Sequence, residues 1–437
     1  MLVALLCNLS VFAQENKLFK NFGIDNPISY QFVMTIAQDK DGFMWFGAEE
    51  GLHRFDGYQL VSFHHDATQP HSLSSNVISR ILTDKNQRLW VGTRGGGLNL
   101  YRENTKDFEH INTKSADLSL SDDNVNSLLE DSSGNLWIGT DNGVNILSNS
   151  EGTWTVKQIY QELGKPNSLS HNMIHSIIET NEHQIWVGTN GGGISVFDLQ
   201  GNFIKVVKYG DRDSSTYIGK FINSLYSDAQ GNIWIGTVES GLLLYNPKSE
   251  LFTHFQFNEN DTSTISSNRI NNIYQGAEQN IWIATDNGLS IYQPEVNKFI
   301  RYNHTLNNPY SVSNDYILTF FEDNNKMMWV GTFTGVNRWD PTMMTFNRHT
   351  VKNNPELVSS NITSFVQVDD NKTIFSTYSG GVYQRSNIDK KVTRIDFNEF
   401  FSDLRIMTLF ADDNNLWIGT RASGLYKVNL ISNFIVK

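Results

Sequence analysis

Short apolar runs of four to six residues, each ended by a cluster of Asp, Asn, Ser or Gly, follow one another through almost the whole chain. The stretch 168–207 is typical: SLSHNMIHSIIET, IWVGT, ISVF and FIKVV, separated by NEHQ, NGGG and DLQGN. Met173, Ile174, Ser176 and Ile177 mix apolar and polar positions with a β-branched bias, which predicts a strand buried on much of both faces. Residues 185–189 and 194–197 are too short for helices and rich in strand formers, and 203–207 adds a fourth run. Four strands of about six residues and four loops of about five fill roughly 45 residues.

That unit recurs. An aromatic flanked by aliphatic residues, usually followed by Gly-Thr and a glycine-bearing loop, stands at Trp45, Trp90, Trp137, Trp186, Trp234, Trp282, Trp329, Phe375 and Trp417, with spacings between 42 and 49. A period in the forties fits helical arrays and propeller blades alike, and the strand-forming runs decide for blades. Only Trp154 and Trp339 of the ten tryptophans lie outside the phrase. A lone four-stranded blade cannot bury both faces, so the blades must stack, and the eight motif tryptophans are assigned to the core between neighbours. Burying about 200 Å² at about 25 cal/mol/Å² gives each an upper bound of roughly 5 kcal/mol.

The turns between first and second strands include DKDG at 39–42, DSSG at 131–134 and DAQG at 228–231. There Asp bonds its own backbone and Gly takes positive φ, so these acids are read as turn formers.

Nine repeats exceed the usual four to eight blades of one ring. The predicted fold is therefore an all-β β-propeller of four-stranded blades, with one seven-bladed ring at 29–350 and the first two blades of a second, truncated propeller at 351–437. Residues 14–28 form an N-terminal segment in which 17–22 supply an extra outer strand that closes a blade the sequence does not identify. Residues 1–13 are apolar and end in Val-Phe-Ala, as a signal peptide does, which predicts export to the periplasm. Cys7, the single cysteine, falls inside that segment, leaving a mature chain with neither thiol nor disulfide. No later stretch approaches the roughly 18 apolar residues of a membrane span.

The net charge of −12, without a basic cluster, argues against nucleic acid as a partner. GTRGGG at 92–97 and GTNGGG at 188–193 run from strand to strand with no helix to receive a phosphate, so they are not nucleotide loops. His64, His65, His71 and Asp66 share one loop, which solvation explains as well as a metal does, and neither metal nor cofactor is expected.

The units DKDGFMWFGAEEGLHRFD at 39–56, DSSGNLWIGTDNG at 131–143 and ADDNNLWIGTRASG at 411–424 resemble the two-component regulator propeller repeat. Ser-Leu-Ser openers at 72–76 and 168–172 accompany them, and the resemblance spans residues 18–437. FST at 375–377 and IWIAT at 281–285 are the weakest matches. The resemblance implies a periplasmic sensor region of a bacterial receptor. In that family the propellers typically precede an immunoglobulin-like module, a membrane helix and a histidine kinase or diguanylate cyclase output. It also implies oligosaccharide ligands, a homodimeric receptor, and membrane attachment only through downstream segments.

In a propeller the loops between second and third strands surround the central channel on one face. Here they vary while the strands repeat, and such variation in a fixed frame makes a specific surface. Glu50, Arg94, Asn142, Asn190, Glu239, Asn287, Tyr378 and Arg421 are the expected ligand contacts. The recurring Asn76, Asn124, Asn172, Asn268, Asn314 and Asn361 of the openers are read chiefly as loop caps. No catalytic residue is expected. The alternatives are a protein-binding structural propeller, or a glycosidase suggested by a likeness to the sialidase Asp-box. The Asp131, Gly134, Trp137 spacing departs from that box by one residue. A glycosidase would also need two carboxylates about 5 to 9 Å apart, and nothing pairs Glu50, Asp141, Glu239 and Asp286.

Overall fold

The computed structural model of the chain describes residues 17–22, 27–207, 209, 219–306, 308–341, 356–357, 359, 361–379, 381–388, 391–395, 398–401 and 404–437. The expected signal peptide at 1–13, with Cys7, lies outside them. The described chain is all-β, with nine four-stranded antiparallel sheets and two single-turn helical segments. It divides into two compact units, 1–343 and 344–437.

In the first unit β1 (Phe19–Asn21) precedes the first sheet, which is β2 (Val33–Gln38), β3 (Met44–Ala48), β4 (Gly51–Phe55) and β5 (Leu60–Phe63). Five more sheets of the same up-and-down order follow, their first strands being Ile78–Thr83, Val125–Glu130, Ile174–Glu179, Ile222–Ser227 and Ile270–Gln275. The seventh takes three strands from 317–339, and its outer fourth strand is β1, paired Phe19 to Trp339 and Asn21 to Asn337. First strands contact one another in chain order, and Ile317–Glu322 of the seventh sheet contacts β2, so the seven sheets close a ring.

The motif phrase makes the stacking possible. A Cβ on Gly47, Gly92, Gly139, Gly188 or Gly236 would stand 2.6 Å from the first strand of the next sheet, at Ile78, Val125, Ile174, Ile222 and Ile270. On Gly331 it would meet the Val33 carbonyl at 2.7 Å, which is the same approach across the closure. At these six glycines a side chain would press the sheets apart, whereas the sixth sheet accommodates the methyl of Ala284 at the same place, fully buried.

The tryptophans fill the space beside these contacts: Trp45, Trp90, Trp137, Trp186, Trp234, Trp282 and Trp329 are all at most 2% exposed. Trp45 packs edge-on to Tyr101 of the second sheet, and Trp282 meets Phe320 and Trp339 of the seventh. Five of the seven indole protons are also spoken for. Asp39, Asp84, Asp131, Asp228 and Asp323, each six residues earlier in the turn, accept the Nε1 hydrogen bond at 2.6–3.0 Å. The other oxygen of Asp131 accepts from the backbone of Asn135, so one carboxylate ties turn to core.

The second unit has two sheets, 362–394 and 406–436, packed through Ile374, Val382, Ile406, Leu409, Leu416 and Val428. Phe375 is buried against Tyr383. Trp417 corrects an expectation: it is only half-buried, with Lys427 Nζ 5.3 Å from its ring centroid. Every ring tryptophan is covered by a following sheet, whereas the sheet of Trp417 is the last of the described residues.

Candidate functional site

The loop face of the ring rests on a buried polar frame. Thr93 Oγ1 donates to the Gly97 carbonyl at 2.8 Å, while Asn99 accepts from the Ser74 backbone at 3.0 Å and donates to Ser74 Oγ at 2.7 Å. Thr140, Ser121 and Asn145 repeat the arrangement, as do Thr332, Ser313 and Asn337, and serines 195 and 290 replace the Asn in two sheets. Thr93, Asn99, Thr140 and Asn145 are fully buried, and because their polar groups are paired the frame is rigid. The Ser-x-Asn openers close the other loop: Asn76, Asn172 and Asn268 accept the backbone N–H of His65, Gln161 and Phe257. In two sheets that place belongs to Asp123 and Asp315 rather than to Asn124 and Asn314. Sequence reading placed the cap one residue late in the first case and one residue early in the second, because an Asn adjoins each acid.

On this frame Glu50, Arg94, Asn142 and Glu239 are exposed on the second-to-third-strand loops of the first, second, third and fifth sheets. Asn190 donates to Met173 Sδ at 2.9 Å and Asn287 to the Ser266 carbonyl at 3.2 Å, so both amides are partly spent on the loops themselves. Asp141 accepts from Asn126 Nδ2 at 2.7 Å. Within the second unit, Arg421 Nη1 donates to the Tyr378 hydroxyl at 2.7 Å, and the Arg405 guanidinium lies 5.7 Å from the Tyr378 ring. The Arg421 hydrogen bond, with the charge of Arg405, holds that phenol below its usual range. Of the loop histidines, His65 is engaged locally, its Nδ1 meeting the Leu73 carbonyl at 2.6 Å.

Residues outside the expected set complete the surface at the channel. Burial and the nearby Arg94 push the Arg80 guanidinium down to about 10. Burial also lowers His175, with Arg80 and Arg94 lowering it further while Asp141 opposes them. Groups from the second, third and fourth sheets thus converge closely enough to feel one another. Arg80 stands where the other first strands of the ring carry Thr35, Ser127, Ser176, Ser224, Asn272 or Thr319, and this charged departure from uncharged polar residues was available from repeat alignment.

Repeated four-stranded sheets closed into a ring, with variable polar loop tips on one face, define a β-propeller. The Two component regulator propeller family matches seven segments, 27–50, 72–95, 119–142, 168–191, 216–239, 264–287 and 311–334. The chain belongs to that family. No curated protein matches it in sequence. Among solved structures it is similar to the extracellular domain of BT3049, described as a hybrid two component system of B. thetaiotaomicron, at 26% identity and a TM-score of 0.72. The likeness covers 96% of this chain and 60% of that one. The extracellular domain of BT4673 from the same organism matches at 22% identity and a TM-score of 0.60, over 96% of this chain and 53% of that one. Virginiamycin B lyase from Staphylococcus aureus, at 11% identity and a TM-score of 0.55, shares 74% of this chain and 98% of its own, a likeness of fold alone. The chain therefore spans about three fifths or less of the extracellular domains it matches.

Proposed function

We propose that this chain is the extracytoplasmic sensing region of a bacterial signalling receptor, exported to the periplasm, which binds an oligosaccharide or similar small ligand and performs no chemistry on it. The observation that carries the reading is the pairing of seven family segments with the likeness to an extracellular domain of a hybrid two component system. The loop face supports it, since Glu50, Arg94, Asn142 and Glu239 are exposed on a rigid frame while Asp141, Arg80 and His175 supply charge and hydrogen-bonding groups. In this reading the two sheets of the second unit are the first blades of another propeller, and signalling passes through a homodimer to a kinase or cyclase output. A ligand shifts such an assembly only by binding one arrangement better than the other.

The test is a thermal-shift screen of the chain from Gln14 onward against oligosaccharides, with product analysis of each hit. The expected result is a rise in Tm with the sugar recovered intact. A cleaved sugar overturns the reading in favour of a glycosidase.

A further inference from the structure

The opposite face of the ring, where first and second strands turn, carries clefts between neighbouring sheets. One of about 460 Å³ lies between the seventh and first sheets, and among its walls are Asp323 and Trp329, already bonded at 2.8 Å. Its counterpart between the fourth and fifth sheets, about 440 Å³, is lined by Thr180, Glu182, Trp186, Lys205, Asn232 and Lys248 among others. Here the acid is missing. Residue 180, six before the tryptophan, is Thr, and its hydroxyl instead accepts the Gln184 backbone N–H at 3.3 Å.

Trp186 is 2% exposed and its Nε1 has no hydrogen-bond partner. In five other sheets the same N–H points to the aspartate at the position Thr180 occupies, and Thr180 and Trp186 both line the cleft, so the unpaired donor lies at its wall on the Thr180 side. A buried donor without an acceptor is costly, and a charged acceptor satisfies it best. Lys205 and Lys248 make no ion pair among the described residues, and against Glu182 they leave the cleft walls with an excess of positive charge.

We propose that the cleft between the fourth and fifth sheets binds a small carboxylate, which accepts the Trp186 indole proton where aspartate does so elsewhere and is neutralised by Lys205 and Lys248. The carboxylate belongs to an acidic sugar or to an acidic amino acid, and the chemistry recognised is the same.

The test is an indole-¹⁵N NMR titration of the chain with D-glucuronate, L-glutamate, acetate and D-glucose. The Trp186 resonance is assigned through Thr180→Asp, which restores the built-in acid. The carboxylates are expected to move the Trp186 N–H and glucose to leave it still. Thr180→Asp is expected to shift that resonance without ligand and to weaken carboxylate binding about tenfold or more, as loss of a charge-assisted hydrogen bond does. Tighter binding of glucuronate assigns an acidic sugar, and tighter binding of glutamate an acidic amino acid. Should Thr180→Asp misfold, Lys205→Ala with Lys248→Ala must weaken binding instead. An unmoved Trp186, an equal response to glucose, or undiminished binding in the variants overturns the proposal.

Discussion

At the scale of single residues, the ring is held by polar atoms placed where apolar packing alone would leave them stranded. His53, 1% exposed, meets Ser62 Oγ at 2.8 Å and Gln31 Oε1 at 3.1 Å through its two ring nitrogens. Burial first, and then His64, push its imidazole down to about 4. The folded chain thus keeps His53 neutral while the unfolded chain takes a proton near 6.5, so stability is full above that value and falls as pH drops toward 4. Between pH 7 and 5 this group alone costs about 2 kcal/mol. Urea unfolding at the two pH values is expected to show that loss in the parent chain and a smaller one in His53→Gln, and equal losses would refute the assignment. The seven ring tryptophans were legible as core because they repeat, while Trp417 repeats and yet is only half-buried. The acceptor role of Asp39, Asp84, Asp131, Asp228 and Asp323 was not, since turn formation already accounted for an acid at that place. Only the spatial meeting of turn and indole shows one carboxylate serving both.

At the scale of elements, strand order followed from run length and turn chemistry, yet the turns are more uniform than their sequences. Gly42, Gly134 and Gly231 take φ between 82° and 86°, and Gln87, His183, Gln279 and Lys326 hold the equivalent left-handed position in the other four sheets with φ between 57° and 66°. Asp-x-x-Gly marked three of the turns; closure by the flanking strands fixed the rest despite the strain. The strand β1 was visible as a spare apolar run, but its partner was not, because pairing across the whole ring leaves no local trace. Phe19 is 1% exposed against Trp282 and Tyr302, and Lys17 Nζ lies 3.6 Å from the Trp339 ring centroid while pairing with Glu278. Truncating a buried Phe costs about 3–5 kcal/mol. Phe19→Ala is expected to lower the urea midpoint of the ring accordingly, whereas a change under about 1 kcal/mol would mean that β1 does not close it.

At the scale of the whole molecule, seven sheets close through the approach of Gly331 to Val33 and through β1, which fastens the seventh sheet by a strand from before the first. Closure makes the loop frame rigid, and a rigid frame lets loop tips diverge without cost to the fold. Of the candidate site, the exposed tips could be read from sequence because they vary between repeats, as Arg94 and Glu239 do. Arg80 and His175 escaped notice because they sit within strands, where variation reads as packing until the ring brings them together. The central claim, that this face binds a ligand without altering it, is tested most directly by calorimetric titration of the leading screened oligosaccharide into the parent chain, Arg94→Ala and Glu239→Ala. The account predicts saturable binding to the parent, weakened about tenfold by removal of a charged contact, with no heat of turnover at long times. Affinity unchanged by both substitutions, or continuous heat from reaction, would contradict it.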